Sequence, residues 1–386
     1  MPKETLRVGV IGAGRWSASA HLPGFKHSPL GDVVAICDVD EDLGRARAAE
    51  FGVPDFYTDY EKMISREDID VVDVVTRGEH EDITFHVLEA GKHCLVEKPV
   101  CHDYRDVLRA DALAKSRSLK TKVGLTFRYA PATQYMFALM NDGFVGKPFI
   151  FNGYEQNSQW LDPDNPMDKR IHKVKPVGEA PWGVDPDPRN IEVSSLEGYG
   201  APTIDIGLEC VGSGLAEVSA ILANMIKERR RTNLDTEREP INIDDADIFI
   251  ARTTAGALFS LQSSFVTVGN YPGIEARIYG SNGAIHVRLV EEFDSFQTIH
   301  VAKPNAVEFV QKEIPQQFFP PQYKEHTRWD SMFYAGLVHN FLEEITDGGD
   351  ENQGNFEQSA RVQEIINAAT MSHRTHAWVA LPLEEK

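Results

Sequence analysis

Residues 6–17 read Leu6-Arg7-Val8-Gly9-Val10-Ile11-Gly12-Ala13-Gly14-Arg15-Trp16-Ser17, and this stretch decides the fold of the first part of the chain. Leu6 to Ile11 is a short apolar run of the kind that forms a strand buried on both faces of a parallel sheet. Gly12 permits a tight turn. Gly14 leaves the backbone bare for close approach, and Arg15-Trp16-Ser17 opens a helix whose positive end suits a pyrophosphate. Ser17 replaces the third glycine, which mainly serves helix–strand packing, a task a small residue also performs. A lone Gly-x-Gly is a weak signal. Between a strand and a helix it reads as a dinucleotide-binding loop, with Gly12, Ala13, Gly14, Arg15 and Trp16 as candidate cofactor-binding residues.

The next elements repeat the pattern. Val33 to Cys37 reads as a second strand, with Asp38 at its carboxyl end. That carboxylate suits the adenosine ribose hydroxyls and would repel a 2′-phosphate, so NAD is favoured over NADP. Arg45 and Arg47 nearby read as a solvated helix face. Val71 to Val75 is a third strand and His93 to Val96 a fourth. Helix patterns at Leu43–Phe51 and Ile83–Ala90 lie between them, the second ending at Gly91. Alternating strands and helices imply a parallel sheet with right-handed crossovers, closed by Leu119 to Phe127. The fold class is α/β, and residues 1–127 are expected to form a Rossmann domain.

After about residue 128 the pattern changes. Phe149–Tyr154, Ile248–Ala251, Leu258–Val266, Ile274–Tyr279 and Ala284–Leu289 read as strands punctuated by Gly256, Gly273 and Gly283. Helices are expected at about 131–142, 207–226, 331–347 and 356–374. Residues 128–386 are therefore expected to form an α+β second domain. Residues 157–202 stand apart, with seven prolines from Pro163 to Pro202 and with Trp160 and Trp182 among them. A long loop of this kind is either functional or a surface insertion.

With 386 residues the chain is long for one ordinary core, and its formal charge of −20 argues against a nucleic-acid partner. No apolar run is long enough to span a bilayer, and the first residues lack the pattern of a secretory signal. The four cysteines, Cys37, Cys94, Cys101 and Cys210, form no C-x-x-C pair. A reducing cytoplasm fits them best. The pairs His80/His86 and His373/His376 do not assemble a metal site, and none is expected.

Glu97-Lys98-Pro99 follows the fourth strand. A lysine there points into the ligand crevice of a parallel sheet and can stabilise alkoxide charge during hydride transfer. The run Ala90-Gly91-Lys92-His93-Cys94-Leu95-Val96-Glu97-Lys98-Pro99 resembles the signature of the glucose–fructose oxidoreductase / inositol dehydrogenase (Gfo/Idh/MocA) family. Gly12-Ala13-Gly14, Phe127-Arg128-Tyr129, Gly280-Ser281-Asn282-Gly283-Ala284 and Ala377-Trp378-Val379 fit it as well. The resemblance covers nearly the whole chain. It implies a C-terminal domain with a large, mostly antiparallel open sheet that builds homodimers or homotetramers, and a site between the domains. It implies NAD(P)-dependent interconversion of a secondary alcohol and a ketone on a sugar, cyclitol or related polyol. It also implies that Lys98 is the catalytic lysine, often before a cis proline bond, with Glu97 beside it at the cofactor.

Two departures from the family pattern carry weight. The family's Asp-x-Gly-x-His motif appears as Asp205-Ile206-Gly207-Leu208-Glu209, with Gly212 where a second aspartate usually stands. Histidine is well matched to accept a hydroxyl proton near neutral pH. An unperturbed glutamate is about two pKa units more acidic. Three readings follow: burial raises Glu209 and it acts as base; Lys98, Tyr199 or His172 carries the proton; or Glu209 only orients substrate in an altered site. The family's Thr-Pro-Asn-x-x-His segment appears as Val75-Thr76-Arg77-Gly78-Glu79-His80, so cofactor contact is expected from Val75, Thr76 and His80. Arg128, Tyr129, Trp160, His172 and Tyr199 are candidates for the substrate pocket. Two rivals to a dehydrogenase follow from the resemblance. One is a dinucleotide-sensing regulatory protein without turnover, and the other is an NAD-assisted glycoside hydrolase.

Overall fold

The computed structural model describes residues 5–76, 78, 80–165, 191, 193, 195–230, 232, 234–270, 273–290, 297–320, 328–348 and 354–384. The chain forms two compact units, Met1–Ala130 with Phe319–Arg361 and Pro131–Phe318 with Val362–Lys386.

The first unit is built on a six-stranded parallel sheet of β1 (Leu6–Ile11), β2 (Gly31–Cys37), β3 (Asp55–Tyr57), β4 (Val71–Val74), β5 (His93–Val96) and β6 (Thr121–Val123). Their spatial order is β3-β2-β1-β4-β5-β6. The order reverses direction beside β1, which puts the glycine loop and the end of β4 at the switch point where ligands bind. The short edge strand β3 has no counterpart among the expected strands. Helices α1 (Leu22–His27), α2 (Glu41–Phe51), α3 (Tyr60–Ile64), α4 (His80–Glu89) and α5 (Tyr104–Ser116) connect them. A π-helical turn, Ser17–His21, precedes α1.

The sequence boundary at residue 128 assigned everything after it to the second domain. The structure returns part of the C-terminal chain to the first unit. Helix α8 (Trp329–Asp347) carries Tyr334, Leu337, Val338, Phe341 and Leu342 on one stripe. These side chains pack into the same core as Val8, Val10, Phe25, Ile36, Val71 and Leu95. Buried Lys122 of β6 pairs with Glu344 and donates to Asn340 Oδ1 at 2.8 Å, tying α8 to the sheet edge.

The second unit holds a nine-stranded mixed sheet. Its strands are β7 (Pro148–Gln156), β8 (Leu215–Ala223), β11 (Ala246–Thr253), β12 (Leu258–Ser264), β13 (Gly273–Gly280), β14 (Ala284–Val290), β15 (Gln297–Ala302), β16 (Val310–Lys312) and β17 (Val379–Ala380). Short strands β9 (Glu228–Arg229) and β10 (Glu239–Pro240) pair separately. The order is β16-β15-β14-β13-β7-β12-β11-β8-β17, antiparallel except for the β7–β12 pair. Helices α6 (Pro131–Asn141) and α7 (Ala201–Val211) lie against the buried face, where Phe151, Phe259, Ala251, Val218, Ile278 and Ile285 point. The division between the units falls within α9 (Phe356–Thr375). The helix expected over 207–226 is corrected. α7 ends at Gly212, whose φ of +61° makes the left-handed cap, and residues 215–223 alternate as strand β8.

Register places Glu155, Ser263 and Asp247 in one cross-strand row on that buried face. Asp244 accepts the Ser195 and Leu196 amides at 3.0 Å each, capping the turn that leads into α7. Burial, reinforced by Asp244 and Glu155, pushes the Asp247 carboxyl well above its ordinary value; the Ser195 hydroxyl and the Ser263 amide oppose this. An acid with a raised folded pKa binds its proton more tightly folded than unfolded. Stability is therefore lost as pH climbs above the unfolded value of 3.8, by at most about 1.4 kcal/mol per pH unit. Asp247→Asn is expected to raise the melting temperature, with a gain larger at pH 8 than at pH 5. A gain that is flat or shrinks with pH, measured by thermal scans at both values, would show Asp247 to be ionised in the fold.

Candidate functional site

The glycine loop leaves β1 at Gly12, whose φ is +109°; a Cβ there would stand 2.6 Å from the Val75 carbonyl oxygen. Among the described residues, and apart from its two chain neighbours, no atom lies within 4 Å of a Cβ built on Gly14. The space over Gly14 is thus open on its outer side, beside the first turn of the helix, where the Ala18 amide donates to the Gly14 carbonyl at 3.1 Å. Asp38 reaches back to this loop. One carboxylate oxygen accepts the Ala13 amide at 2.7 Å and the other accepts the Asp40 amide at 2.9 Å. Arg47 donates to the Ala13 carbonyl at 3.2 Å, so this arginine supports the loop and is not merely a solvated helix residue. Arg15 is exposed and Trp16 half-buried. An open cradle and a carboxylate at the second strand together fit a dinucleotide.

The end of β5 meets the same loop through Trp16. Its indole nitrogen donates to Glu97 Oε1 at 3.1 Å and lies 3.3 Å from the Tyr334 hydroxyl. Glu97 Oε2 accepts the Lys98 amide at 3.2 Å, the Lys98 side chain is half-buried, and the Lys98–Pro99 peptide is cis. His80 joins the two loops. One ring nitrogen lies 2.8 Å from the Thr76 carbonyl oxygen and the other 2.8 Å from that of Pro99. Val75 is buried and its amide continues the sheet to Ile11.

Two residues that sequence reasoning passed over complete this cluster. His21 is fully buried, with Nδ1 2.8 Å from Asp73 Oδ2 and Nε2 3.2 Å from Glu97 Oε1. Burial works against a charged ring. Asp73 and Glu97 outweigh it and push His21 up to about 9. Burial likewise opposes ionisation of Glu97, yet His21, Lys98 and Trp16 hold its carboxyl below the ordinary value. For Asp73, burial pushes the carboxyl up and His21 pulls it down. The signal for this cluster was visible in Val71-Val72-Asp73-Val74: a carboxylate inside an apolar parallel strand needs a buried partner.

The remaining candidates fall elsewhere. Arg128 and Tyr129 are buried within the first unit, under Gly336 of α8 and beside Gly354. Trp160, expected to wall a sugar pocket, is instead a packing residue. Its ring stacks on Phe265 at 4.7 Å, the Arg229 guanidinium lies 4.8 Å from the ring centre, and Ile241 and Ile243 complete the cluster. Tyr199 is half-buried and meets Phe265 edge to face at 5.3 Å. His172 and Arg77 lie outside the described residues. Asp205 and Glu209 sit one turn apart on α7, Asp205 buried and Glu209 exposed. The burial expected to make Glu209 a base is absent. Gly207 lies in the middle of α7, where a Cβ would collide with Phe259, so this glycine serves close helix–sheet packing.

A parallel sheet with an open glycine cradle, an acid at the second strand and a lysine at the fifth defines a dinucleotide-dependent oxidoreductase. Residues 6–125 match the family described as "Oxidoreductase family, NAD-binding Rossmann fold", the Gfo/Idh/MocA group. It is 24% identical to levoglucosan dehydrogenase of Pseudarthrobacter phenanthrenivorans over 98% of this chain and 99% of that protein. Inositol 2-dehydrogenase of Salmonella typhimurium is 27% identical over 49% of this chain and 57% of that protein. The solved structure of a levoglucosan dehydrogenase in complex with NADH and levoglucosan superposes with a TM-score of 0.85, at 22% identity, over 98% of this chain and 100% of that one. The cofactor of this family is NAD. Among the described residues no helix is long and apolar enough to cross a membrane.

The two glycines separate folding from binding. Gly12→Ala meets both a left-handed φ and the Val75 carbonyl, and is expected to lower the melting temperature by several degrees. Gly14→Ala meets no atom among the described residues beyond its chain neighbours. It is expected to keep the wild-type melting temperature and weaken NADH at least about tenfold, about 1.4 kcal/mol. Calorimetric titration with NADH and thermal scans check both. A Gly14→Ala chain that binds NADH normally would place the cofactor elsewhere.

Proposed function

We propose that the chain is an NAD-dependent dehydrogenase acting on a secondary alcohol of a sugar, cyclitol or related polyol, the compounds its relatives are named for. The observation that carries this reading is the Trp16–Glu97 hydrogen bond, which sets Lys98 beside the glycine loop. In this reading the Gly12–Trp16 backbone and Asp38 hold the cofactor, and Val75, Thr76, His80 and Glu97 support the neighbouring turns. Bound NAD supplies the hydride acceptor. Lys98 donates a hydrogen bond to the alcohol oxygen and stabilises negative charge there as the C–H bond breaks. The carbon leaves as a ketone and the hydroxyl proton goes to a base. Asp205 is proposed to orient a substrate hydroxyl, and Glu209 to accept the proton or anchor substrate.

A panel of sugars, inositols and sugar acids with NAD, followed by NADH absorbance, tests the reading. Lys98→Met is expected to lose about 100-fold or more in kcat while keeping its NADH affinity. No turnover of any substrate in either direction, with NADH tightly bound, would overturn the dehydrogenase. Equal turnover in Lys98→Met would overturn the role of Lys98. A pH–rate profile of Glu209→Gln then separates base from anchor, since only loss of a base removes the limb that reports proton uptake.

We also infer that the chain self-associates through the open face of the nine-stranded sheet, in a reducing compartment that suits its four free, buried cysteines. Cross-strand rows on that face place Ile150 beside Leu258, Ile250 beside Ser260 and Ile248 beside Ile221. These aliphatic side chains are all exposed, as is Trp378. Contiguous exposed apolar rows of this kind suit a protein interface, and a two-fold copy offers the same rows in return. Ile248→Glu with Ile250→Glu is expected to convert the assembly to monomers in light scattering. A wild type that is monomeric at micromolar concentration would refute the interface.

A further inference from the structure

We propose that His21 is a positioning residue: anchored by Asp73 on one side, it fixes the Glu97 carboxylate on the other, and through Glu97 it sets the backbone and the electrostatic surroundings of Lys98. The proposal rests on the dehydrogenase reading for what Lys98 does, and on geometry for the rest. Asp73 alone would satisfy a buried imidazole through Nδ1, at 2.8 Å. The other ring nitrogen is aimed at Glu97, 3.2 Å away, and Glu97 in turn accepts the Lys98 amide. Everything near Glu97 serves the same placement. Trp16, from the glycine loop, donates to the same carboxylate oxygen. Tyr334 of α8 lies over the His21 ring at 4.1 Å and shares the Trp16 donor. Residue 124 is a glycine, and any Cβ there would collide with the Glu97 carboxylate.

The groups facing His21 are Asp73 of β4, Glu97 at the end of β5 and Tyr334 of α8; Lys98 acts on Glu97, and Cys94 of β5 lies in the field of Asp73. Two carboxyls against one ring keep the ring protonated, up to about 9. While it is charged, the ring holds Glu97 as a carboxylate bonded to Trp16. Its deprotonation leaves Glu97 without a cationic partner on that side, and the pair titrates together. A buried ion pair that served only the fold would predict a loss of stability and nothing specific at Lys98.

Two measurements test this, one of them independent of turnover. Trp16 donates to Glu97, so its fluorescence reports that carboxylate. The emission difference between the intact chain and Trp16→Phe, titrated from pH 6 to 10, is expected to change with a midpoint near 9. The change should vanish in His21→Gln. Should His21→Gln fail to fold, Asp73→Asn takes its place, with a midpoint moved to lower pH. No titration in the intact chain, or one that survives in His21→Gln, overturns the proposal. With a substrate in hand, His21→Gln is expected to lower kcat about tenfold or more with KM within about threefold, and to cost nothing further in a Glu97→Gln background. Equal losses in both backgrounds would make His21 an independent structural residue. If no substrate turns over while the emission titrates as described, the dehydrogenase reading falls and the anchoring of Glu97 stands.

Discussion

The bond between the His21 ring and the Asp73 carboxylate puts an ion pair at the centre of the first unit's parallel sheet, among valines. β4 runs between β1 and β5, and its other residues are valines. An unpartnered carboxylate there would cost several kcal/mol. The partner has to come from an element packed on the sheet face, and the first one available is the helix that follows the glycine loop. That helix widens into a π turn at Ser17–His21, the stretch that carries the histidine inward. Once His21 faces Asp73, its second nitrogen faces Glu97, and Glu97 takes up Trp16. One buried charge thus links the glycine loop to the strand end that bears Lys98.

The same cluster explains why the chain returns to its first unit near the C-terminus. Tyr334 supplies the ring over His21 and a hydroxyl for Trp16, and it comes from α8. The helix is held by its apolar stripe and by Lys122–Glu344, a buried pair whose charges have no other reason to leave water. The spacing 334, 337, 338, 341, 342 is plain in the sequence as a helix with one apolar face. Nothing in that spacing says which core the face enters. Periodicity is a local property, and the choice of core depends on a match between α8 and a surface some 200 or more residues earlier in the chain.

Legibility followed the same line between local and distant causes. Gly12, Gly14 and Asp38 were legible because their roles follow from backbone geometry over a few residues. Glu97-Lys98-Pro99 was legible because it ends a strand. The sheet of the first unit came through almost whole, short of a three-residue edge strand too brief to show alternation. His21 and Asp73 were passed over, although a lone aspartate among valines was a signal. Trp160 was assigned to a pocket on the strength of its residue type, and Phe265 and Arg229, which cover it, come from far along the chain. The expected helix over 207–226 failed because α7 begins earlier and stops at Gly212. The alternation of β8 after that glycine was read as a continuing helix.

Gly212 also bears on the departure at α7. The position is occupied by a residue with φ of +61° whose amide bonds the Leu208 and Glu209 carbonyls. A side chain other than glycine would be strained there, and an aspartate would face that cost as a Cβ residue in the left-handed region. The helix therefore ends two residues after Glu209, which lies in its last turn, and nearly two turns after Asp205. In the proposed reaction the charge-stabilising role at the reacting oxygen falls to Lys98, whose surroundings the first unit builds from the core outward.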